Sequence, residues 1–200
     1  MESPTHISPT SLSSRRILWP ALALIALLAF TVYFLHSQGR IWTCTCGTVK
    51  LWAGDIWSNT DNSQHLLDPY SFSHLEHGLL FYWLVSWLLP RLRLAWRFVT
   101  ALTIEAGWEM VENSSVLIRR YNETTISKGY TGDTVINSLG DLAMCGLGFW
   151  IAHFLGFRRT LVLVIAIEVV MILMIRDSML INIIMLLFPV EALRTWQMGG

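Results

Sequence analysis

Ile17-Leu-Trp-Pro-Ala-Leu-Ala-Leu-Ile-Ala-Leu-Leu-Ala-Phe-Thr-Val-Tyr-Phe-Leu35 runs for nineteen residues without a charge, and Arg15 and Arg16 precede it. A helix crosses the hydrocarbon core of a bilayer with about 20 mostly apolar residues. The stretch exceeds the usual apolar region of a secretory signal. No small-x-small cleavage site follows Leu35, so it reads as a retained first span. Further spans are expected at 72–90, 94–118, 134–157 and 160–175. The segment 178–193 is apolar but short and holds Pro189, so it is either a sixth span or an interfacial segment. The expected fold class is all-α, a polytopic transmembrane helix bundle of five to six spans. Residues 17–200 form one transmembrane domain. Residues 1–16 are expected to be a disordered cytoplasmic tail, rich in Ser, Thr and Pro. The connection 36–71 is the one long polar loop.

Composition agrees with a bilayer as the main solvent. Of the 200 residues, 54% are hydrophobic and 14% charged, against roughly 25% charged in an average soluble domain. Mean hydropathy is +0.50. These values argue against a disordered chain, a nucleic-acid-binding domain and a disulfide-stapled secreted domain. Net charge is zero, so no nucleic-acid partner is implied, and the expected partner is membrane lipid. Lys and Arg favour the cytoplasmic side of a membrane. Placing Arg15 and Arg16 inside also places Arg91, Arg93, Arg97, Arg158 and Arg159 there. Arg40, Lys50, Arg119, Arg120, Lys128 and Arg176 then lie outside, a bias of seven against six. The expected location is a bacterial inner membrane, with the N-terminus cytoplasmic and 36–71 periplasmic.

Ionisable residues inside spans are costly and mark functional sites. The second span opens with His74-Leu-Glu-His77-Gly78, and the third holds Glu105, Glu109 and Glu112. The fourth opens Asp133-Thr-Val-Ile-Asn137-Ser-Leu-Gly140-Asp141. At 100° per residue the three glutamates fall within roughly 60°, and Asp133, Asn137 and Asp141 within roughly 80°. His74 and His77 share a face, from which Glu76 points away. Antiparallel neighbours bring all three stripes to one depth near the outer leaflet. The expectation is a buried His/Glu/Asp/Asn pocket opening outward, with a structural polar network as the alternative. Several carboxylates in one dry site cannot all ionise without cations. His74, His77, Glu112 and Asp133 are the candidate ligands of a divalent metal. Glu105, Glu109 and Asp141 are the candidate acid–base groups. Asn137, Arg119 and Arg120 are the candidate substrate-binding residues, the arginines meeting phosphate.

This order resembles the VanZ-like membrane proteins, in which a His-containing span and a span ending in Glu precede an Asp-x-x-x-Asn-x-x-Gly helix. The matching positions are His77, Glu109 or Glu112, Asp133, Asn137 and Gly140. Glu105 and Asp141 are carboxylates added to that pattern. The chain also resembles a multi-pass membrane family of alphaproteobacteria of unknown function. Residues Trp42-Thr-Cys-Thr-Cys-Gly47, Asn59-Thr-Asp-Asn-Ser-Gln-His65 and onward to Asp141 carry that likeness.

Cys44 and Cys46 have three readings: a metal pair with His36 or His65, small buried residues, or a disulfide, for which the spacing looks tight. Trp42, Trp52 and Trp57 suit a loop lying along the bilayer surface. Gly146 and Gly148 suit close helix contact, and Cys145 reads as a packing residue. Glu168 and Arg97 fall at similar depths and are expected to pair across the fifth and third spans. Three uses of the pocket follow: binding or modifying an envelope lipid or its head group, metal-dependent hydrolase or transferase chemistry, or a proton path through Glu105, Asp141 and Glu168.

Overall fold

The computed structural model describes residues 9–199, with side chains from residue 17 onward. Eight helices and no strand occur among the described residues: α1 Pro9–Ser37, α2 Ser71–Leu88, α3 Leu94–Glu112, α4 Ser115–Thr124, α5 Val135–Leu155, α6 Phe157–Ile175, α7 Met179–Leu187 and α8 Glu191–Gln197. Part of the N-terminal tail expected to be disordered is helical from Pro9, and residues 1–8 lie outside the described part. By length and composition, two helical segments are apolar enough to cross a membrane, Ile17–Ser37 and Val135–Leu155.

The expected third span, 94–118, is two helices. Asn113 stops α3, and its side-chain amide donates to the Glu109 carbonyl at 3.0 Å. Ser114 then caps α4, its hydroxyl accepting from Leu117 N. The Asn-Ser-Ser run is a stop followed by an N-cap, which the apolar Val116-Leu-Ile118 beyond it conceals from a hydropathy reading. The segment 178–193, expected to be a sixth span or an interfacial segment, does not form a helix long enough to cross a bilayer. Helix α7 has nine residues and ends at Phe188, before Pro189. Nine residues rise only about 14 Å, half of a hydrocarbon core.

Helices α2 and α5 form the most extensively packed pair. Glycine makes this possible. A Cβ on Gly78 would run into the Cys145 carbonyl, and one on Gly148 into the Leu75 carbonyl. Without those atoms the two backbones touch, and Leu79, Cys145 and Phe149 close the core around them. Helix α3 packs on both, so three helices face one another where the polar stripes lie.

The connection 36–71 folds back onto the start of α5. Val135 N donates to Ile41 O, Ile136 N to Trp42 O, and Thr134 N to Ser63 O. Arg40 ties it to the α4–α5 turn by donating to the Thr131 carbonyl. Cys44 and Cys46 are disulfide-bonded, and their Cα atoms, 5.2 Å apart, lie within the range for such a bond. Tight spacing therefore does not exclude the pairing. Trp42, Trp52 and Trp57 are exposed, and Cys145 is buried as expected.

The expected Arg97–Glu168 pair does not form. Arg97 closes the α2–α3 turn, donating to the carbonyls of Leu92 and Pro90 and to Ser86 Oγ. Glu168 accepts from Leu180 N at 3.0 Å and faces Glu76, which α2 directs away from its histidines. Similar depth allowed the pair, but lateral placement forbids it.

Candidate functional site

The three polar stripes converge. From α2, His74 Nδ1 lies 2.5 Å from Glu105 Oε1 and 3.3 Å from Glu109 Oε1. His77 Nδ1 lies 2.9 Å from Glu105 Oε2. On the other side of the His74 ring, Nε2 is 3.8 Å from Asp141 Oδ2 on α5. One atom from each of His74, His77 and Glu105 falls within 4.8 Å of the others, and the same holds for His74, Glu109 and Glu112. His77 is held by stacking on Phe81 and by the edge of Trp108.

Glu109 is wholly buried, and neither of its carboxylate oxygens has a hydrogen-bond partner. Buried polar atoms are almost always satisfied, and an uncompensated buried charge costs several kcal/mol. Glu112 is half satisfied: Oε1 accepts from Tyr121 Oη at 2.9 Å, while Oε2 has no partner. The cluster thus combines unpartnered carboxylate oxygens with a spacing at which such groups could share a cation.

A cavity of about 290 Å³ lies beside the cluster. Asp68, Glu112, Asp133 and Asp141 line it with His74 and His77. Asp133, at the end of the α4–α5 turn, is held by Asn113 Nδ2 and by Tyr130 Oη, both at 2.8 Å. Asp68, before α2, accepts from the backbone N–H groups of Ser63 and Tyr70 at 2.8 Å. Ser71 Oγ donates to Asp141 Oδ1 at 2.6 Å. Burial pushes Asp68 up to about 6, against the two N–H bonds that favour its ionised form. Burial also raises Asp133, opposed by its bonds from Tyr130 and Asn113. Tyr121 and Tyr130 are raised by burial and by the carboxylates beside them.

Of the residues singled out from sequence, His74, His77, Glu105, Glu109, Glu112, Asp133 and Asp141 meet at or beside this cavity. Asp133 lies away from the two metal-spaced groups, among Tyr130 and Asn113. Glu105 bridges both histidines. Asn137 is buried nearby but commits its amide to the His65 carbonyl at 2.9 Å, fixing the loop above. Arg119 and Arg120 lie outside the cavity. Arg119 is exposed beside Glu123, and Arg120 Nε donates to the Leu186 carbonyl. They sit on α4, which departs from the line of α3 after the break at Asn113. Among the described residues, no Lys or Arg lines the cavity.

Sequence reasoning did not single out Asp68, Tyr70, Asn113, Tyr121 or Tyr130 as site residues. All five come from turns, loops or the short α4, where no long helical period picks them out. The Asn-Ser-Ser stop was the one available signal.

Cys44, Cys46 and His65 also approach one another. His65 Nδ1 accepts from Lys50 N at 3.2 Å. In the neutral ring its proton is then on Nε2, the nitrogen that faces Cys46 and Asp61. That tautomer offers no lone pair to a metal there, and the two sulfurs are bonded to each other.

Fold and site together define a helical protein with a buried His–carboxylate cluster beside an acidic, aromatic-lined cavity. Residues 35–199 match the family described as Protein of unknown function (DUF2585), and the chain belongs to it. It is 44% identical over 179 residues to a UPF0314 protein of Brucella anthropi, covering 90% of each chain. A UPF0314 protein of Paracoccus denitrificans is 42% identical, over 96% of this chain and 98% of the relative. Another from Sphingopyxis alaskensis is 43% identical, over 90% and 94%. No solved structure matches.

Proposed function

We propose that this chain is a five-span inner-membrane protein, similar in site layout to the VanZ-like proteins. Its pocket holds one divalent cation and uses it to bind and modify the head group of an envelope lipid at the outer leaflet. Large apolar side chains on the outside of the bundle support the membrane setting. Ile17, Trp19, Ile25 and Tyr33 of α1 are more than 60% exposed or close to it, and Val162, Leu173 and Met174 of α6 are 67%, 77% and 76% exposed. Contiguous apolar surface of this kind marks contact with lipid or another protein. The disulfide in 36–71 supports placing that loop in the oxidising periplasm.

The observation that carries the metal reading is Glu109, buried and unpartnered next to His74. His74 with Glu109 and Glu112, and His74 with His77 and Glu105, are the two groups spaced to share a cation, with nitrogen and oxygen donors of the type that zinc and its neighbours take. A bound cation would acidify a water and polarise a phosphoryl or acyl oxygen. Asp141, close to His74 on the cavity side, would orient that ring or move a proton. A proton relay is less well supported, because Glu168 lies across α2 from Glu105.

Metal analysis of the purified full chain tests this reading. About one divalent cation per chain is expected. His74→Ala and Glu109→Gln should lose it, while His153→Ala, which removes the partner of Tyr82, should keep it. A chain that stays metal-free after incubation with zinc, manganese and magnesium would overturn the proposal.

A further inference from the structure

The cation cluster leaves the larger part of the cavity unassigned, and its lining is unusual. Four carboxylates face a space that no Lys or Arg lines among the described residues. A single divalent cation does not balance them together with Glu105 and Glu109. Around the carboxylates stand aromatic rings. Tyr121 and Tyr130 meet at 5.4 Å between centroids and 75° between planes, forming two walls of a corner. Tyr70 and Trp108 add further aromatic surface to the lining. The hydroxyl of Tyr121 is anchored on Glu112, and that of Tyr130 on Asp133. These bonds fix the rings without using every acceptor, since Glu112 Oε2 has no partner.

Carboxylates set among perpendicular aromatic rings are the surroundings that suit an organic ammonium group. Its charge is attracted by ring faces as well as by anions, and it is less strongly hydrated than a metal ion. A phosphate alone would meet repulsion on this side of the cavity. The remaining wall has opposite character. Met179, Ile183 and Leu186 of α7 line it. Ile183 is also 43% exposed on the outside, next to exposed Leu180 and Leu187. The cavity therefore runs from a polar end into the apolar exterior. At about 290 Å³ it is at the lower end of small-ligand sites, large enough for a head group but not for a whole lipid.

We infer that the ligand is a lipid whose head group carries an ammonium, seated among Glu112, Asp133, Tyr121 and Tyr130, with its chains leaving past α7. This rests on the proposed head-group reading and names the class of head group.

The test uses the purified full chain in detergent, with metal content measured in every sample. Binding is compared for dihexanoyl phosphatidylethanolamine, dihexanoyl phosphatidylglycerol and free phosphoethanolamine. The ethanolamine lipid should bind at least ten-fold more tightly than the glycerol lipid, a difference of about 1.4 kcal/mol. Free phosphoethanolamine should bind more weakly than its lipid. Glu112→Gln keeps an oxygen for the Tyr121 hydroxyl and removes the charge, so it should cancel the preference. Tyr130→Leu should weaken the ethanolamine lipid about ten-fold, and Tyr130→Phe, which keeps the ring, should restore most of it. Equal binding of the two lipids would overturn the ammonium assignment, and free phosphoethanolamine binding as tightly as the lipid would overturn the lipid. A metal-bearing chain without the preference would fail this inference alone, whereas a metal-free chain that keeps the preference would fail the metal reading alone.

Discussion

Asp68 shows how one residue can couple ligand and proton. Its carboxyl is displaced from 3.8 to about 6 by burial, so the folded chain holds its proton more tightly than the unfolded chain. The stability this supplies is complete below pH 4 and is lost as pH rises through about 6, on the order of 3 kcal/mol in all. Melting temperature in detergent should therefore fall from pH 4 to 6.5, and Asp68→Asn should flatten part of that fall. A pH slope that Asp68→Asn leaves unchanged would contradict the assignment. A cation entering the cavity favours ionised Asp68, so ammonium-lipid affinity should increase between pH 5 and 7 with release of protons. Calorimetry in two buffers of different ionisation enthalpy would register that release, and its absence at pH 6 would exclude Asp68 from the coupling. The carboxylates and histidines of α2, α3 and α5 were legible in the sequence because helical period sorts them onto faces. Asp68, Tyr121 and Tyr130 were not, because loops and a ten-residue helix carry no long period to read.

The helices owe their close approach to particular small residues. Gly146 and Gly148 look alike in sequence, yet a Cβ on Gly146 would meet only side chains, Phe98 at 3.4 Å and Leu102 at 3.9 Å, at ordinary contact distance. A Cβ on Gly148 would strike α2 backbone. Gly148→Ala should cost about 1–3 kcal/mol, while Gly146→Ala should be close to neutral. Comparable losses in melting temperature for both would mean that α2 and α5 are not in backbone contact. Asn113 joins two elements in the same way. It is 1% exposed, donates to the Asp133 carboxylate and accepts from its backbone N–H. Asn113→Ala should destabilise by roughly 2–3 kcal/mol, since Asp133 would be left buried with a donor and an acceptor unmet. A change under 0.5 kcal/mol would place the α3–α4 junction elsewhere. Hydropathy ran the third span through this junction because apolar residues continue beyond it. Only capping chemistry records the break.

For the molecule as a whole, the shortness of α7 decides the fate of the C-terminus. If the proposed five spans start with a cytoplasmic N-terminus, the chain ends on the periplasmic side, because α7 and α8 are too short to return it. A phosphatase fused after Gly200 should be active, and a fluorescent protein there should be dark. The reverse pattern would restore a sixth crossing. Sequence placed the polar groups at one level but not the neighbours of each helix. Arg97 and Glu168 are the example: depth follows from counting along a helix, whereas which helices touch depends on side-chain shape across the bundle.

On the proposed periplasmic placement of residues 36–71, the Cys44–Cys46 bond would also order the protein's maturation. A chain leaving the ribosome carries free thiols, and the bond would form once that loop reached the oxidising side. The same loop donates the Ile41, Trp42 and Ser63 carbonyls that receive the first N–H groups of α5 and its cap. The start of the helix bearing Asp141 is thus completed by the loop, which on that placement would arrive after translocation. A chain held back in the cytosol would keep the cluster residues and lack the covalent staple within the loop above them.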